Sequence, residues 1–116
     1  MLDQQNQMNY LNNNEMEILK WLTNWYKSNC DGDWEHSYGV KIDTLDNPGW
    51  FVKIDLTDTK EDGKIISIEV ENSDDDWYSI KSDGNVFEAY GDFSKLPFLI
   101  SKFKEFVEDP NVQDVP

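Results

Sequence analysis

The segment Cys30-Asp31-Gly32-Asp33-Trp34-Glu35-His36 packs a thiol, three carboxylates and the chain's single imidazole into one short stretch. Those residue types suggest two chemistries, a metal site or a Cys/His nucleophile. Zinc takes four Cys or His ligands, or three and a water, and the chain has no second Cys or His to supply them. Asp31, Asp33 and the Asp74-Asp75-Asp76 run are hard oxygen donors, yet neither stretch follows the calcium-loop pattern with its terminal Glu. Covalent catalysis at Cys30 needs His36 within reach and an oxyanion hole, and the neighbouring carboxylates disfavour a reactive thiolate. Paired carboxylates of the glycosidase kind carry no information here, because any two of 24 acids could lie at a suitable separation. No Gly-rich phosphate loop, nucleotide fingerprint or basic aromatic patch is present. The sequence thus assigns no catalytic residue, no metal and no cofactor.

The elements around this segment follow from hydrophobic period. Ile18, Trp21, Leu22, Trp25 and Tyr26 recur at helical spacing, which predicts a helix from about Glu15 to Ser28, capped by Asn12 or Asn14 and closed by Asp31-Gly32. From His36 the period becomes two. His36, Tyr38, Val40 and Ile42 share one strand face, so His36 reads as a strand-edge histidine, and the alternation resumes at Trp50, Val52, Ile54 and Leu56. Between them Asp46-Asn47-Pro48-Gly49 has the Pro and Gly positions of a tight turn. Further strands are predicted around Ile66–Val70, Tyr78–Ile80 and Phe87–Ala89. A last helix carries Leu96, Leu99, Ile100, Phe103, Phe106 and Val107, with Pro97 in its first turn, and stops at Asp109-Pro110.

The expected fold is α+β: a five-stranded antiparallel meander with an N-terminal and a C-terminal helix packed on one face. A flexible polar lead (1–14), a single domain (15–109) and a flexible tail (110–116) make up the chain. In such a sheet alternate loops fall at the same end. One end then collects Asp31, Asp33 and Glu35, then Asp58, Glu61 and Asp62, and also Asp83; the other collects Asp46, Asp74 to Asp76 and Asp92. Trp34 at the first end and Trp50 and Trp77 at the second either anchor a partner or turn inward as core.

Composition narrows the partner. Twenty-four acidic and ten basic residues give a net charge of -14, which repels nucleic-acid phosphate and anionic lipid. Nucleic acid and membrane are therefore excluded as expected partners, and a protein with a basic surface is favoured because opposite fields speed encounter. The charge also serves plain solubility. One cysteine forms no internal disulfide, and no apolar stretch approaches a membrane span, so a cytoplasmic location is expected.

Three stretches carry a resemblance: Trp21-Leu22-Thr23-Asn24-Trp25-Tyr26, then Cys30 to His36 with Tyr38-Gly39, then Thr44-Leu45-Asp46-Asn47-Pro48-Gly49-Trp50 with Ile54-Asp55-Leu56. Together they resemble the immunity protein 53 family of bacterial polymorphic toxin systems, over about Ile18 to Thr59 and more loosely through Asp76-Trp77, Gly91-Asp92 and the final helix. The resemblance implies a non-catalytic antitoxin that binds a cognate toxin and occludes its working surface. Gly32, Gly39, Pro48 and Gly49 have backbone reasons for their identity, so the motifs speak first for fold and then for interface. The expected partner-binding residues are Asp31, Asp33, Trp34, Glu35, Asp58, Glu61 and Asp62. An acidic adaptor, a calcium-responsive module and a small Cys30/His36 enzyme are the alternatives.

Overall fold

The computed structural model describes residues 2–109, with side chains described from Asn14 onward. The segment 110–116, expected as a flexible tail, lies outside the described residues. Helix α1 spans Leu2–Asn29, the one-turn helix α2 Trp34–Ser37, and five strands follow: β1 Val40–Leu45, β2 Gly49–Asp55, β3 Ile65–Ser73, β4 Asp76–Asp83 and β5 Val86–Gly91. Helix α3, Leu96–Glu108, is the last of the described elements. The α+β class and the five antiparallel strands in one sheet are as the alternation predicts.

Three details differ from expectation. α1 starts at Leu2 rather than near Glu15, since neither Gly nor Pro precedes Gly32 to interrupt a backbone helix. Asn12 and Asn14 therefore lie inside the helix rather than at its start. His36 belongs to α2, not to a strand, because the alternation His36-Tyr38-Val40 also fits a helical turn followed by an extended lead into β1. Finally, the strand order is β1-β2-β5-β4-β3, so the sheet is not a sequential meander. The connection after β2 crosses to the far edge, and β5 returns to fill the place beside β2.

Register sorts the faces. Val52 of β2 lies between Ile42 and Ala89, and Ala89 lies beside Ile80, which is paired with Ile68. These residues share the face that both helices cover. Val52, Ile54, Ile80, Phe87 and Ala89 are fully buried there, under Leu99, Ile100, Phe103 and Phe106 of α3 and Leu22 and Trp25 of α1. Phe103 is the hub: its ring meets Trp25 and Phe87 edge-on at 4.9 Å each, and Trp21 at 5.8 Å. Such aromatic pairs each add about 0.5–1.5 kcal/mol beyond the area they bury.

Candidate functional site

Every strand still runs antiparallel to its neighbours, so the crossover leaves the ends of the sheet as expected. The segment before β1, the β2–β3 connection and the β4–β5 turn share one end. Backbone hydrogen bonds from Leu56 N to Asn85 O and from Gly63 N to Gly84 O tie two of these loops together. The third is held by tryptophan: Trp34 Nε1 donates to Thr57 O at 2.9 Å, and its ring lies 6.2 Å from that of Trp25. Trp25 Nε1 in turn donates to Glu61 Oε2 at 3.0 Å. The connection 56–64 thus forms a strap across the end of the sheet, joined to α1 through Glu61, to α2 through Thr57 and to α3 through Lys64 Nζ on Val107 O.

The seven expected site residues fall into two groups. Trp34 and Glu61 are buried, at 5% exposure each, so they brace the end from inside and offer no surface. Sequence could not separate them from their neighbours, because the groups that bury them, Thr57 and Trp25, are distant in the chain. Asp31, Asp33, Asp58 and Asp62 are exposed, and Glu35 is half-buried. Asp31 Oδ1 accepts the amides of Asp33 and Trp34, while Glu35 reaches back to the amides of Asp31 and Gly32. The amides of Trp34 and Asp33 hold the Asp31 carboxyl below the usual carboxylate range. Glu35 is also held low, first by its own amide and then by those of Asp31 and Gly32 against the effect of burial. Both carboxylates shape the segment as well as charge it.

Asp62 Oδ2 accepts the Asp58 amide, and Asp58 itself has φ 64°, the left-handed region. An L residue other than Gly enters that region at a cost of about 1–2 kcal/mol, least for Asp and Asn. Asp83 adds a further charge at this end, its carboxyl held low by the amides of Asn85 and Val86. Beside the end, a groove of about 590 Å³ runs between α1 and β1, lined by Leu22, Thr23, Tyr26, Glu35, Tyr38 and Val40. Cys30 Sγ contacts Tyr26 O at 3.3 Å, and His36 is exposed. Among the described residues no three His, Cys, Asp or Glu side chains converge in a way that could hold a metal ion. None of the described helices is long and apolar enough to cross a membrane.

Trp34→Phe removes the bond to Thr57 O and, at a buried position, part of the ring volume packed against Trp25, Tyr26 and Tyr38. The expected loss is about 2–3 kcal/mol in a urea titration, from an unpaired carbonyl together with the space left behind. An unchanged midpoint would show that the strap is held by its other ties.

Fold and site define a class: a small acidic α+β domain that presents carboxylates from three loops at one end of its sheet. The sequence profile of the Immunity protein 53 family matches residues 19–108, most of the chain. The chain belongs to the immunity protein 53 family. No curated protein and no solved structure gives a significant match. It is an immunity protein, and immunity proteins generally act on a toxin partner without catalysis.

Proposed function

We propose that this protein neutralises a cognate toxin in the cytoplasm of the bacterium that makes it, by covering the toxin's working surface with the carboxylate-rich end of its sheet. The convergence of Asp31, Asp33, Glu35, Asp58, Asp62 and Asp83 from three separate loops onto one end is the observation that carries this reading. A net charge of -14 draws in a basic protein, and Arg or Lys of the toxin would meet exposed carboxylates. The strap's ties to three helices keep that end rigid before binding, which limits the ordering cost of association. Trp34 and Glu61 serve by holding the strap in place.

The test is co-expression with the product of the neighbouring gene in the native locus. That product should kill alone, be tolerated together with this protein, and co-purify with it in a fixed ratio. A neighbour that is harmless, or toxic regardless, sinks the reading. Within the complex, the informative variant is Asp33→Lys with Asp58→Asn, because neither change removes a carboxylate that the fold uses. Association should slow roughly tenfold at low salt. Unchanged association kinetics in the folded double variant would place the contact elsewhere.

A further inference from the structure

The sheet has two open edges, β1 and β3, and they differ in kind. β3 carries Glu69 and Glu71 on its outer face and a register shift between Glu71 and Ser73, both of which discourage strand addition. β1 has no register shift, and its two outer-face charges are of opposite sign. Its sequence, Val40-Lys41-Ile42-Asp43-Thr44-Leu45, alternates Lys41 and Asp43 on the outer face around Ile42 on the helix-side face. Two such strands laid antiparallel about Ile42 set each Lys41 opposite the other copy's Asp43, and Ile42 opposite Ile42.

Two further observations favour that occupant. Across the outer face a row reads Lys81, Glu88, Lys53, Lys41, so the alternation of sign breaks at the edge, where Lys41 stands directly opposite Lys53. Like charges placed this way are destabilising. Lys41 enters none of the four ion pairs among the described residues, and Asp43 Oδ1 accepts only the next amide, Thr44 N. A second copy's Asp43 beyond Lys41 would restore the alternation. On the other face, Ile42 is 43% exposed although it is paired with fully buried Val52. Met16, Leu19 and Tyr26 are also exposed, on the stripe of α1 that includes Thr23. Thr23 and Tyr26 line the groove with Val40 and Lys41. Of the six exposed large apolar side chains among the described residues, Ile42 lies on this edge and Tyr26 lines the groove beside it.

We infer that β1 pairs with β1 of a second copy of this chain, antiparallel about Ile42, joining two sheets into one across a two-fold axis. The pairing is independent of toxin neutralisation and uses a different edge. Each copy carries -14, so repulsion opposes dimerisation and salt should strengthen it, whereas salt should weaken encounter with a basic toxin.

Sedimentation equilibrium over a range of protein and salt concentrations tests this, with Lys41→Asp and Asp43→Lys as variants. The wild-type chain should show a monomer–dimer equilibrium, tighter at higher salt. Each single reversal should weaken it roughly tenfold or more, because two attractive cross-strand pairs become repulsive. An equimolar mixture of the two variants should regain dimer as a heterodimer, and the double swap in one chain should regain the homodimer. A wild-type chain that stays monomeric throughout overturns the inference. So do single reversals that dimerise as well as wild type, or a mixture that stays monomeric. Toxin neutralisation by a monomeric chain would leave the proposed function standing while this one falls.

Discussion

Asp92→Ala is expected to cost about 3 kcal/mol or more, the scale for removing one member of a buried, hydrogen-bonded charge pair. Asp92 is 3% exposed just beyond β5, and both its oxygens are doubly engaged. Oδ1 accepts Ser94 N and Ser94 Oγ; Oδ2 accepts Lys95 Nζ at 2.7 Å and Trp77 N at 2.9 Å. Asp92→Asn is therefore not a mild change, because either orientation of the amide turns its NH₂ toward two donors. Lys95 keeps its second partner, Asp76, at 2.8 Å, so the loss stops short of an unpaired lysine. Burial pushes the Asp92 carboxyl up, and the bonds from Lys95, Ser94 and Trp77 more than reverse it, leaving the group ionised well below the usual carboxylate range. A depressed native value contributes stability above the unfolded value, about 3.9, and that stability is lost as pH falls below it. Urea titrations at several pH values should show the gap between wild type and Asp92→Asn constant near neutrality and closing below about pH 4. A gap independent of pH down to acid would mean the carboxylate's charge does not matter there.

Gly49→Ala should be comparably damaging, about 3 kcal/mol or failure to fold, at the upper end of overpacking effects. A Cβ built on Gly49 collides with the carbonyl of Gly91, which is backbone and cannot step aside. Gly91 is flanked by Trp50 and Tyr78 in the register, so relief would require β2 and β5 to part at their ends. Gly32→Ala is the contrasting case. Its Cβ meets nothing within 4 Å, and its φ of 92° alone sets the expense, about 1–2 kcal/mol. Similar losses at both positions, read from urea midpoints, would contradict this separation of space from backbone conformation.

Much of this structure was legible because the signals are local. Alternation located all five strands, and helical spacing located the core faces of α1 and α3, since period depends only on a residue's neighbours. The charged end was also readable, because it needs only the direction of each strand, which the crossover left intact. Strand order was not, because the pairing of β2 with β5 is settled by residues far apart in sequence. The same limit explains Glu61, whose burial depends on an indole in α1, and Trp34, whose partner is a carbonyl in the strap. Asp92 looked like one more surface acid, although four donors from three residues enclose it. The start of α1 was not legible, because its polar first half lacks the apolar period that marks Ile18 to Tyr26.

The crossing of the strap to the far edge has a consequence for how the chain reaches its fold. The sheet divides into a hairpin, β1-β2, and a three-stranded meander, β3-β4-β5, each made of strands that follow one another in sequence. Both can form early, since their turns close short loops. Only the β2–β5 seam joins them, between residues 50–55 and 86–91. Within the sheet, the entropy of long-range closure thus falls on a single docking event, with the strap as its tether. Shortening or stiffening that tether acts on folding rate first, and the carboxylate-rich end takes its final shape only when the seam has closed.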